Sequence, residues 1–188
     1  MINTLKILSI LIVIFSNNFL HAQSHSESDL PAKKDETKVS EVITTDSLPV
    51  SEILKRAVNW VKTESTLYGK TNGVTTGSKA ECIVTFHIKP KELNPQCDYT
   101  GKITMKVVIE CKPSKYRYTI THIQHISTGG STSGGSIDNA IPDCGTMAIV
   151  TLTRKKLKGD ALANAASVAT KIKEKMKVSS ADAEKDGW

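Results

Sequence analysis

A chain of 188 residues with hydrophobic side chains at 39% of its positions, and 25 Lys and Arg against 19 Asp and Glu, has room for one domain with its own core. Its four cysteines, Cys82, Cys97, Cys111 and Cys144, show no CxxC spacing, which excludes a zinc ribbon and a thioredoxin-like motif. The apolar run at residues 7–15 is too short to span a bilayer.

That run follows Lys6 and leads to Leu20-His21-Ala22-Gln23, the pattern of a signal peptide over residues 1–22 cleaved after Ala22. The expected product is periplasmic or secreted, with no stable membrane span. No cysteine lies near the cleavage point, so a lipid anchor is not supported. Cleavage removes one lysine and no acid, leaving 24 cations against 19 acids, a net charge of +5. Export also permits disulfides. Cys97 and Cys144 fall in expected loops and form the candidate bridge. Cys82 and Cys111 share the parity of inward apolar neighbours and read equally well as free thiols.

Residues 23–38 are polar, charged and nearly free of large apolar side chains, which predicts a disordered linker. A β-branched run at residues 39–45 predicts a first strand. A helix follows, with Ser51 as candidate N-cap and Ile53, Leu54, Ala57, Trp60 and Val61 at helical spacing. Trp60 reads as a core anchor. Residues 68–79, with three glycines, predict a loop or a weak edge strand. Ala80, Cys82, Val84, Phe86 and Ile88 then alternate with polar residues, the period of a half-buried strand.

Residues 103–126 are the most informative stretch. Met105, Val107, Ile109 and Cys111, then Tyr116, Tyr118 and Ile120, form one face. Thr104, Lys106, Glu110, Arg117, Thr119 and Thr121 form the other. With Pro113 at the second position of a type I turn, Cys111 faces Tyr116, Ile109 faces Tyr118 and Val107 faces Ile120, while Glu110 meets Arg117 outside. A one-residue slip would turn the tyrosines outward and the charges inward.

Residues 127–136 hold four glycines and no apolar side chain, which predicts a flexible loop, either a binding loop or a tolerated insertion. Residues 146–153 (TMAIVTLT) read as a further strand. A second helix is predicted from Gly159, with Asp160 as N-cap and a stripe of Leu162, Ala165, Ala166, Ala169, Ile172 and Met176. Residues 179–188 read as a flexible tail. The order strand, helix, four strands, helix predicts a single α+β domain over residues 39–178. Its antiparallel sheet of about five strands carries two helices on one face.

Residues 41–63, with Leu54, Arg56, Ala57 and Trp60 on the helix, and residues 103–123, with Tyr116-Arg117-Tyr118 after the turn, carry a resemblance. Together with the signal sequence ending in Ala22-Gln23, they resemble an exported family of Bacteroidota, domain of unknown function 4468. The resemblance implies a fold like that of the TATA-box-binding protein (TBP-like), and it transfers no activity.

No catalytic constellation stands out. His122 and His125 form an HxxH, but odd spacing on a strand sends the two rings to opposite faces, so a shared metal is not expected. Nothing calls for a cofactor. The basic clusters Lys112-Lys115-Arg117 and Arg154-Lys155-Lys156-Lys158 raise nucleic-acid binding, but export and the inward aromatics argue against it. Solvated surface or contact with acidic envelope polymers is the expectation. The functional reading is a non-enzymatic module that binds an envelope partner or ligand through Thr104, Lys106, Arg117, Thr119 and Thr121, or through the Gly/Ser loop. The alternative is an envelope hydrolase using His87 or His125 with a nearby acid.

Overall fold

The computed structural model describes residues 36–88, 100–128, 133–147 and 149–177. The expected signal peptide, most of the linker, the tail and Cys97 lie outside the described residues. Strand β1 (Val39–Thr44) leads to helix α1 (Val50–Lys62), then β2 (Gly69–Thr76), β3 (Lys79–Ile88), β4 (Gly101–Lys112), β5 (Lys115–Ser127), a two-residue β6 (Gly135–Ser136) and helix α2 (Thr151–Lys177). The sheet runs β1-β5-β4-β3-β2, every pairing is antiparallel, and β6 adds to the far end of β5. This is the α+β order expected from the sequence.

The central hairpin has the register that its side-chain pattern required. Cys111 pairs with Tyr116, Ile109 with Tyr118, Val107 with Ile120 and Glu110 with Arg117. All six apolar members are buried. Both helices pack on that face. Ile53, Ala57, Trp60 and Val61 of α1, and Ala161, Ala165, Val168, Ala169, Ile172 and Met176 of α2, join the strand residues in one core. Burying a large aliphatic side chain contributes roughly 1.5–3 kcal/mol, so this interleaved face holds the domain together. Cys82 and Cys111 are buried free thiols within it, and burial pushes each thiol up to about 11.

Several local expectations need correction. The turn at Pro113 is not type I. Ser114 sits at φ 58°, the left-handed conformation that the third position of a type II turn adopts. The Ser114 N–H donates to the Leu48 carbonyl (3.0 Å) and its own carbonyl accepts from Thr45 N–H (2.8 Å), so the β1–α1 loop fixes that conformation. Ser51 does not cap α1. Pro49 is the N-cap residue, no side chain caps the end, and the Pro49 carbonyl accepts from Glu52 and Ile53. The uncertain stretch before β3 is the edge strand β2, irregular between Thr71 and Val74.

The expected strand at residues 146–153 does not form. Residues 143–147 are turns, and α2 begins at Thr151. The burial of Thr153, Leu157, Ala161 and Ala165 recurs every four residues, so the helical period extends eight residues before Gly159. The run Arg154 to Lys158 consists of good helix formers, which outweigh one interior glycine worth about 1 kcal/mol against. Asp160 is therefore not an N-cap but an i,i+4 partner of Lys156 at 2.8 Å. On the same helix Ala166 is exposed, and Ala161 and Val168 complete the buried stripe instead.

Candidate functional site

On the side of the sheet opposite the helices, no helix among the described residues lies across the strands. Half-exposed Ile83, Thr85, Lys106, Val108, Thr119 and Thr121 occupy the middle of this side. This is where the sequence placed its candidate binding residues. Thr104 lies on this side but is only 8% exposed, and its hydroxyl has no partner among the described residues. The others are engaged with neighbours. Lys106 pairs with Glu81 at 3.1 Å. The Thr119 hydroxyl lies 3.1 Å from that of Ser40, and that of Thr121 lies 3.0 Å from His122 Nδ1.

Arg117 belongs to a charged cluster at the hairpin end. Its Nε donates to Glu110 Oε2 at 2.8 Å, and its Nη2 reaches the same oxygen. Lys79 takes the other oxygen at 2.7 Å. Lys79, then Arg117, holds the Glu110 carboxyl down at about 2. Beside this cluster lies a shallow pocket of about 170 Å³ lined by Val42, Glu110, Lys112, Lys115, Tyr116 and Arg117. The sequence flagged its basic residues. It did not flag Val42, which is 58% exposed only because β1 lies at the sheet's edge beside β5.

The edge strand is pinned from the core side. Tyr118 O–H donates to Glu41 Oε2 at 2.7 Å, and Lys173 of α2 reaches the same oxygen at 3.2 Å. The Tyr118 bond, followed by Lys173, holds the Glu41 carboxyl below the usual carboxylate range. Burial, with Glu41 nearby, pushes the Tyr118 phenol up to about 12.

The histidines do not converge. His122 stands at φ 53°, where the β4–β5 register shifts between Thr104 and Lys106. This bulge reverses the alternation of β5. Tyr116, Tyr118 and Ile120 point into the core before it, and Ile123, His125 and Ser127 do so after it. His122 is exposed, and its Nδ1 lies 3.3 Å from Glu36. His125 is fully buried, and its Nδ1 accepts from the Gly134 N–H at 3.0 Å. A ring so enclosed cannot meet a substrate. His87 is exposed beside Lys156 and Asp160, but that carboxylate is already held by Lys156.

The described part of the Gly/Ser loop is tied down. Gly135 and Ser136 pair with His125 and Gln124. Arg154, on the first turn of α2, donates to the carbonyls of Gly134 (3.0 Å), Ser136 (2.5 Å) and Asn139 (3.4 Å). This polar hub was not legible in the sequence, because it joins residues from β5, the loop and α2. Half-buried Cys144 lies in the same segment, and its proposed partner Cys97 is outside the described residues. Among the described residues no His, Cys, Asp and Glu side chains cluster as a metal site, and no helix is long and apolar enough to cross a membrane.

An antiparallel sheet with two helices on one face, and no helix among the described residues on the other, defines an α+β domain of the TBP-like kind. The chain is similar to the solved structure of a TBP-like protein from Parabacteroides distasonis ATCC 8503, with a TM-score of 0.58 and 13% identity, over 79% of this chain and 97% of that one. It also aligns with a DUF4468 family protein from Bacteroides ovatus ATCC 8483 at a TM-score of 0.48 and 11% identity, over 79% and 90% of the two chains. No family model matches the chain, and no curated protein matches it. Likeness at this identity establishes the fold, which is the one the sequence resemblance implied.

Proposed function

We propose that the protein is a non-enzymatic binding module, exported by its signal sequence, whose half-exposed sheet face receives an envelope partner. The observation that carries this reading is the asymmetry of the sheet. Both helices cover the core side, while a broad face of mixed Thr, Lys, Ile and Val side chains stays half-exposed. Such a face offers hydrogen-bonding hydroxyls and apolar contact area on a rigid scaffold. The ladder of ion pairs from Lys106–Glu81 to Lys79–Glu110–Arg117 holds its charged side chains in place, which lowers the ordering cost of binding. The hydrolase alternative draws no support from His125, because its ring is enclosed and its Nδ1 is committed to Gly134. In the exported setting, the Cys97–Cys144 bridge is part of the same proposal, and peptide mapping without reductant tests it.

The binding reading is tested by photo-crosslinking in native envelope preparations. A photoreactive residue placed at Thr121 or Val108 should give one dominant adduct, and one placed at Lys171 on α2 should not. Equal adducts from both faces, or none from the sheet face, would overturn it.

A further inference from the structure

We propose that the hairpin end of this face, around Val42, Lys112, Lys115 and Arg117, is a binding pocket for a single phosphate group. The inference deepens the binding reading, since the pocket lies at one end of the same face. Its first support is an unusual pairing. Lys112 and Lys115 stand directly opposite each other across the two-residue turn, both are exposed, and neither has an ion-pair partner among the described residues. Like charges placed directly opposite on a hairpin destabilise it. An anion seated between the two lysines would turn that repulsion into attraction.

The neighbourhood reinforces the field. Glu110 is the one acid lining the pocket, and Lys79 and Arg117 occupy its two oxygens. Three cations, Lys112, Lys115 and Arg117, therefore line the pocket with one carboxylate that Lys79 and Arg117 already hold. The turn itself is held, because Ser114 is bonded through both its N–H and its carbonyl to the β1–α1 loop. The lysine backbones are thus pre-positioned rather than ordered at the moment of binding. At about 170 Å³ the pocket is smaller than a drug-sized site of roughly 300–1,000 Å³, and it suits one anionic group on a larger ligand. Exposed Val42 gives the atoms next to that group an apolar contact. A soluble phosphate ester and a phospholipid headgroup share this chemistry.

The test follows the backbone amides of the full exported chain by NMR, at low ionic strength, as inorganic phosphate is added against a chloride control. The expected result is a saturable shift confined to residues 110–117 and to Val42, with a rise in Tm. Lys115→Glu should raise Tm without ligand, because the repulsive pair becomes attractive, and should abolish the phosphate response. Co-sedimentation with phosphatidylglycerol vesicles but not phosphatidylcholine vesicles, lost in the variant, would assign the headgroup. A phosphate response without sedimentation would assign a soluble ester. Shifts spread over all surface lysines, or a response that survives Lys115→Glu, would overturn the pocket. The measurement needs no protein partner, so its failure leaves the crosslinking result standing, and failed crosslinking leaves the phosphate result standing.

Discussion

The two halves of β5 are built on different principles, and His122 divides them. From Lys115 to Thr121 the strand alternates simply, and Tyr116, Tyr118 and Ile120 enter the apolar core opposite Cys111, Ile109 and Val107. Beyond His122 the parity reverses, and the inward set becomes Ile123, His125 and Ser127. The first half is held by apolar contact with the helices. The second adds, to its pairing with β4 and the burial of Ile123, directed hydrogen bonds from Gly134 to His125 and from Arg154 to the loop carbonyls. Apolar burial is non-directional and tolerates small shifts, whereas a buried polar hub works only when each donor finds its acceptor. One strand thus serves the global core at one end and a local clasp at the other.

The sharpest way to break this division is to truncate one side chain in each half. Ile120→Ala removes a fully buried side chain and should cost about 3 kcal/mol, lowering Tm and opening the whole sheet to hydrogen exchange. Arg154→Ala should cost about 2 kcal/mol, because it strands carbonyls that a charged donor had satisfied. Its effect should concentrate in residues 133–139, with faster exchange there and little change in β4. If the two variants opened the same amides, the halves would not be distinct.

Acid separates them further. The Glu110 carboxyl lies at about 2 against an ordinary 4.5, because Lys79 and Arg117 favour its charged form. A depressed pKa stabilises the fold above the ordinary value, and that contribution fades as pH falls from about 4.5 toward 2. Glu41, also lowered, acts in the same direction at the edge strand. Thermal melts across that window should show declining Tm, and Glu110→Gln should flatten the slope. Both acids brace the first half of β5, so β1 and the hairpin tip should loosen before the Arg154 clasp.

The smallest expected effect lies at the boundary itself. A non-glycine residue at φ 53° carries strain, so His122→Gly should stabilise the protein by about 0.5 kcal/mol. His122→Val should do the opposite, since a β-branched side chain resists the left-handed region. Denaturant midpoints of the two variants give the comparison, and equal midpoints would show that the bulge has relaxed.

The same division explains what could be read in advance. The hairpin register followed from two faces of opposite character and a proline between them, and the α1 face followed from helical spacing. The strand expected at residues 146–153 failed because a short apolar run also fits the start of a helix, and only the packing of Thr153 and Leu157 chose between them. The candidate face was legible as a set of outward residues. Its hairpin-end pocket was not, because Val42 reaches Lys112 and Lys115 only when β1 joins β5.

By itself, then, the sequence determined the fold class, the core side of α1, β3 and β4 and the pairing of the hairpin, because periodicity is a local property that burial enforces. Tertiary structure decided the bulge at His122, the type of turn at Pro113 and the start of α2. It also decided the meeting of Gly134 with His125 and with Arg154. Each of these depends on hydrogen bonds or packing between segments far apart in the chain, and no local pattern encodes which distant group will be there to complete them.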